Sequence, residues 1–291
     1  MKKHTHKKTT QSLIKLLFLI LIVELTALLG YMLGRYVIQN FEYSKIAKKY
    51  ELQETVAPTI GSEPKNLEEE LQPTDEDENE EDPISNEKAL DIYLSQGQKV
   101  FDHNGLKTVN ADYCGWIDIP GTPISYPVVK SKDNTEYLKM SFEGKKRSSG
   151  SIFVDANIRS IKNSKNLLIH GHNMKSGSMF ASLPAYRGIN YYNKHPFVYF
   201  YTPDETLVYQ VISAYTLKHD ANEETAYQDV FLSDSDYENF IKNIMNRSVI
   251  QTNVNAENGE QILTLSTCVN HSSSRFIVHA VRYPIKNNTN E

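Results

Sequence analysis

The chain has 291 residues and a net charge of -5, a length that fits one large domain or two small ones. This slight acidity, with no basic stripe laced with aromatics in the second half, argues against nucleic acid as a partner. Zinc spacings, phosphate-cradling glycine loops and the dinucleotide fingerprint are absent, so no cofactor and no metal is expected.

Five lysines (Lys2, Lys3, Lys7, Lys8 and Lys15) mark residues 1–15 as a cytoplasmic tail. Leu16 to Leu33 follow, 18 residues interrupted only by the carboxylate Glu24. That length is near the minimum of about 17–25 residues for a membrane-crossing helix. The basic excess before the segment places the N-terminus inside and the rest of the chain outside. An uncleaved single-pass anchor at 16–34 is expected in the cell membrane. A cleaved signal peptide is the rival reading, but leucines surround Ala27 and Gly30 and no small-x-small site is evident. His4 and His6, in the basic flank, read as solvated residues.

Residues 35–85 read as a stalk. Its first part, to about Ala57, is compatible with a helix, whereas Gly61 to Ser85 holds two acidic runs, 68–70 and 75–82. Such a run cannot bury apolar surface and repels itself, so an extended, disordered spacer is expected. It lacks the glycine turn of a calcium loop.

The composition changes near Asn86, and residues 86–285 read as the folded domain, with a short tail at 286–291. Ala89, Leu90, Tyr93 and Leu94 predict an opening amphipathic helix. Short apolar runs broken by turn residues follow, around Trp116, Val128, Phe153, Leu168, Phe200 and Val211. Two more, Gln261 to Thr267 and Arg275 to Tyr283, end the domain. This spacing predicts a mainly β sandwich or barrel. A helix is predicted over 236–247, with Phe240, Ile241 and Ile244 on one face.

The last two predicted strands carry the chemistry. Ile262, Thr264, Ser266 and Cys268 share one face by strand alternation. A polar connection leads to Arg275, and a hairpin register pairing Arg275 with Cys268 would set them on the same side. A neighbouring cation favours the reactive thiolate, and a guanidinium can stabilise an oxyanion. Acyl transfer also needs a proton carrier. His172 is placed best, because it leaves a strand through Gly171; His170 ranks second. His271 and His279 read as loop and strand residues, and Cys114 and Trp116 as core. A disulfide between Cys114 and Cys268 is the structural alternative. Asp118 and Asp155 are assigned no role, since nothing in the sequence places either beside His172.

This combination resembles the sortase family, class B. The match rests on Thr264-Leu265-Ser266-Thr267-Cys268 with Arg275 opening the next strand, and on the segment 169–180 around His172. The stretches 114–129, 133–138 and 150–155 fit as well. The resemblance implies a closed eight-stranded β-barrel with peripheral helices and a Gram-positive cell-wall transpeptidase. Its catalytic residues would be His172, Cys268 and Arg275, with Ser266 and Thr267 near the substrate. Cys268 would attack a threonine carbonyl in the C-terminal sorting motif of a surface protein. An amine of peptidoglycan or its lipid-linked precursor would then resolve the thioacyl enzyme. The alternatives are a pilin-polymerising sortase and a non-catalytic stalked adhesin or sensor. A papain-like protease fits poorly, because there the cysteine precedes the histidine.

Overall fold

The structure is a computed structural model and describes residues 3–52, 99–218, 223–254, 256, 260–268 and 274–283. The acidic runs and the helix expected at 89–94 lie outside these residues. The chain divides into two compact units, Met1–Lys48 and Lys49–Glu291.

A single helix, Lys3–Tyr50, contains the expected anchor. Its apolar side chains from Leu16 to Leu29 are exposed, most of them by more than half. Among the described residues, no helix is long and apolar enough to cross a membrane. The side chains of Met32 and Leu33, which complete the expected span, lie outside those described.

Tyr50–Leu52, assigned to the stalk from sequence, join the second unit. β1 (Glu51–Leu52) pairs with β2 (Val100–Phe101), and the Asp102 amide donates to the Tyr50 carbonyl at 2.8 Å. Asp102 then caps a short helix, His103–Val109, by accepting from the Gly105 amide.

Eight strands form the closed barrel implied by the family resemblance. They are β3 (Tyr113–Asp118), β4 (Ser125–Lys130), β5 (Ile152–Val154), β6 (Asn166–His170), β7 (Phe197–Tyr201), β8 (Thr206–Leu217), β9 (Ile262–Cys268) and β10 (Arg275–Arg282). Their order around the barrel is β10-β8-β7-β3-β4-β5-β6-β9. Closure leaves the barrel itself without an edge strand. The β4–β5 and β6–β9 pairs are parallel, and the second brings the end of β6 beside the end of β9. Aliphatic and aromatic side chains fill the core, among them Trp116, which is fully buried and stacks on Phe101 at 4.6 Å between ring centroids.

The helix expected at 236–247 spans Asp234–Asn246. Ser233 caps it by accepting from the Asp236 amide, and two carboxylates in its first turn complement the helix dipole. Tyr237, Phe240 and Ile244 recur at helical spacing and pack with Ile262, Ile277 and Val281 of β9 and β10. This packing fixes one face of the two strands that end at Cys268 and begin at Arg275.

Between these layers lies His279, with no exposed surface. One ring nitrogen meets the Thr264 hydroxyl at 2.8 Å and the other the Tyr215 hydroxyl at 3.0 Å. Burial, with Arg247 adding a smaller repulsion, pushes its pKa down to about 3. The fold thus holds a neutral imidazole. Above pH 6.5 neither folded nor unfolded chain protonates it, so its titration leaves stability unchanged. Below that, the unfolded chain takes up a proton that the fold excludes, and stability falls by at most ~1.4 kcal/mol per pH unit. Denaturant unfolding of wild type and His279→Gln between pH 7 and 4 should show this loss in the difference between the two. A flat difference would contradict the buried neutral state.

Candidate active site

The histidine arm is built by two glycines. Gly171 follows β6, and its amide donates to the Ser266 carbonyl at 3.1 Å. A Cβ there would lie 2.5 Å from the Ile152 Cδ1 and 2.7 Å from the Phe180 ring. Only glycine lets the chain leave the sheet this closely, and the exit carries His172 to the pocket. Gly150 has φ +56, and a Cβ on it would lie 2.3 Å from the Tyr137 carbonyl. The approach it permits, with the Ser151 amide donating to Tyr137, holds the 137–138 turn against the entry to β5.

That turn orients the imidazole. His172 Nε2 lies 2.8 Å from the Leu138 carbonyl. A carbonyl only accepts, so Nε2 carries the hydrogen, and in the neutral ring Nδ1 is the basic atom.

The cysteine and arginine come from the β9–β10 pair. The register aligns Arg275 with Cys268 directly, and continues through Thr267, Ser266 and Leu265 against Phe276, Ile277 and Val278. The register read from the sequence is the one observed. The Cys268 side chain and residues 269–273 lie outside the described residues. A pocket of about 250 Å³ opens here, lined by His172, Arg275, Ser266 and Thr267 together with Asn134, Leu138, Phe153, Asp155, His170, Gly171 and Tyr227. The structure therefore gathers His172, Arg275, Ser266 and Thr267 at one pocket, beside the strand end that bears Cys268.

The two expected substrate contacts differ in their surroundings. The Ser266 hydroxyl is engaged with the Tyr227 hydroxyl at 2.8 Å. Thr267 is buried, and its Oγ1 has no hydrogen-bond partner among the described residues.

Sequence reasoning missed one arrangement. Asp155 stands beside His170, with Oδ2 2.9 Å from Nε2, rather than beside His172. The same carboxylate accepts from Asn134 Nδ2 at 2.8 Å and from the Asn157 amide at 2.9 Å. Burial alone would raise its pKa; the hydrogen bonds and the His170 partner outweigh that and bring it below the usual carboxylate value. The signal lay in the β5–β6 pairing, which sets Phe153 across from His170, and a linear sequence does not display that pairing. Tyr227 had no motif to mark it.

The remaining candidates are structural. Cys114 is a free thiol, which removes the disulfide reading. Its Sγ donates to the Val128 carbonyl at 3.4 Å, and burial pushes its pKa up to about 12. Asp118 pairs with Lys99 at 2.8 Å.

Fold and site together define a closed barrel whose rim gathers a strand-end cysteine, its cross-strand arginine and a loop histidine. The family model of the sortase domain matches residues 117–283, and the chain belongs to the sortase family. Sortase B of Staphylococcus aureus is 35% identical over 164 residues, covering 56% of this chain and 66% of that protein. The match thus spans just under two thirds of that relative's length. A Clostridium perfringens sortase B structure superposes with a TM-score of 0.59 at 32% identity, covering 62% of this chain and 99% of that one. A Staphylococcus aureus sortase B–substrate complex gives 0.60 at 31% identity, covering 68% and 91%.

Proposed function

We propose that this protein is a membrane-anchored cysteine transpeptidase that joins surface proteins to the cell wall. The observation that carries this reading is the register of Arg275 against Cys268 at the pocket that His172 lines. Residues opposed in an antiparallel pair stand on one face with Cβ atoms ~4.5–5.5 Å apart, so the guanidinium shares the thiol's side of the ladder.

In the proposed reaction, the Cys268 thiolate adds to the threonine carbonyl of a sorting motif. Arg275 stabilises the oxyanion that forms. The intermediate collapses when protonated His172 delivers a proton to the departing amine, leaving a thioester on Cys268 and a shortened peptide. An acceptor amine then attacks the thioester, His172 takes its surplus proton, and the new amide leaves as the thiolate reforms. The protein supplies every group this requires, so the reading includes no cofactor.

The anchor belongs to the same proposal. Helix Lys3–Tyr50 exposes an apolar stretch from Leu16 onward, preceded by lysines. This favours a cytoplasmic N-terminus with the barrel outside, where sorting signals and peptidoglycan or its lipid-linked precursor are met.

The full chain in detergent, given a pool of threonine-containing sorting-type peptides and a small amine, should yield both the cleaved peptide and its amine adduct. Hydrolysis without transfer would reduce the protein to a protease. Neither product would favour the stalked adhesin or sensor.

A further inference from the structure

We propose that a basic face, built from the 139–147 hairpin and the end of the helix His103–Val109, docks on anionic phospholipid headgroups at the outer surface of the cell membrane. This rests on the reading of residues 16–34 as a membrane anchor and is independent of the chemistry at Cys268.

The first argument is how the fold gathers like charge. Residues 128–147 carry six cations against three carboxylates, in a chain whose net charge is -5. Four of the six lie on one short hairpin. The Arg147 amide donates to the Lys139 carbonyl at 2.7 Å, Met140 bridges to Lys146, and the Ser141 amide donates to the Lys145 carbonyl at 2.8 Å. Asn110 donates from Nδ2 to the Phe142 carbonyl at 2.9 Å, which fastens the helix end that bears Lys107 to this hairpin. Burial dominates the Cys114 thiol, and the charges of Lys130 and Lys107 both act against it, so these two cations stand about one point of β3.

The second is what the neighbouring carboxylates do. Asp133 accepts from the Thr135 and Glu136 amides at 2.7 and 2.9 Å, and Asp112 from the Tyr137 hydroxyl at 2.8 Å. Glu136 accepts from the Ser131 hydroxyl at 2.5 Å. These three serve local turns and contacts. Glu143 pairs with Lys145 at 2.6 Å, yet that lysine keeps 61% side-chain exposure, and Lys139 and Lys146 are exposed as well. None of these cations lines the pocket. Spread over a hairpin, a strand end and a helix end, they suit a field of phosphate headgroups better than a single small anion.

The third is the tether. Lys49 opens the unit that holds the barrel. It lies over the Tyr50 ring at 4.7 Å, and its charge is favoured first by Tyr50 and also by Glu143 of the hairpin. The chain therefore enters this unit beside the basic face. Arg35 to Lys49 are 15 residues of the helix Lys3–Tyr50, an advance of about 22 Å. An anchor at 16–34 thus keeps the face within reach of the bilayer, where each cation near an anionic surface adds to the attraction.

The test uses the full chain in vesicles of phosphatidylcholine, with or without phosphatidylglycerol, each holding a dansyl-labelled lipid. Trp116, the one tryptophan of the chain, serves as the energy donor. Transfer should rise when phosphatidylglycerol is present and fall back in ~1 M salt, which screens charges beyond ~3 Å. Replacing Lys139, Lys145, Lys146 and Arg147 together by glutamine should abolish the rise. Replacing Lys162, Lys165, Lys194 and Lys242 by glutamine, a loss of equal charge elsewhere, should preserve it. Equal transfer in the two vesicles, a rise that survives the first replacement, or one lost equally in the second would overturn the proposal. So would soluble polyphosphate binding through the same four residues while anionic vesicles change nothing, since the partner would then be a polymer. Flotation separates the anchor from the face. A chain that floats with anionic vesicles alone, and no longer does so after the first replacement, would refute the anchor and still support the face. Flotation with neither vesicle would overturn both.

Discussion

Cys268→Ala should abolish both peptide cleavage and amine transfer, while Cys114→Ala should keep most of each. The difference follows from surroundings rather than from residue type. Cys268 ends β9 opposite a guanidinium at an open pocket. Cys114 sits in β3 with its thiol bonded to the Val128 carbonyl and its pKa pushed up to about 12. A thiol that ionises only near that pH is no nucleophile at neutrality. Steady-state assays of both variants, with circular dichroism to verify folding, decide the matter. Comparable losses in the two would leave the nucleophile unassigned.

The second large effect is expected at His172. Removing the proton carrier commonly costs ~10²–10⁴-fold, so His172→Ala should lower turnover by that amount with little change in the melting temperature. Its ring stands at the exposed rim, with Nε2 bonded to the Leu138 carbonyl, rather than within the barrel core, so truncation leaves the barrel intact. His170→Phe, by contrast, should lower turnover far less, since the His170 Nε2 is committed to Asp155. The size of the fall in kcat therefore separates two histidines that stand two residues apart. Equal falls in kcat for both variants would contradict the assignment of the base.

Much of this site was legible in the sequence, for identifiable reasons. Strand alternation through Ile262, Thr264, Ser266 and Cys268, with a short polar connection to Arg275, leaves few registers that keep the apolar face buried. The observed register is the one this predicts. The helix at 234–246 was legible because helical periodicity and a serine cap coincide. The eight-stranded closure came from the family resemblance, whereas the strand spacing alone left sandwich and barrel open.

What stayed hidden depends on contacts between distant residues. The Asp155–His170 pair forms because β5 and β6 run antiparallel, and nothing near Asp155 in the chain announces its partner. Tyr227 reaches the pocket from the segment before the helix at 234–246. Tyr50–Leu52 were read as stalk because the sequence to about Ala57 is compatible with a helix, yet β1 and β2 pair across the stretch between them.

The central claim is that acyl transfer passes through a thioester on Cys268. The most direct measurement is peptide mapping by mass spectrometry of the full chain quenched in acid during turnover of a sorting-type peptide without an acceptor amine. The account predicts one acyl adduct, of the mass of the peptide up to its threonine, on the fragment that contains Cys268. An adduct on the fragment with Cys114, or steady cleavage with no adduct on either cysteine, would contradict it.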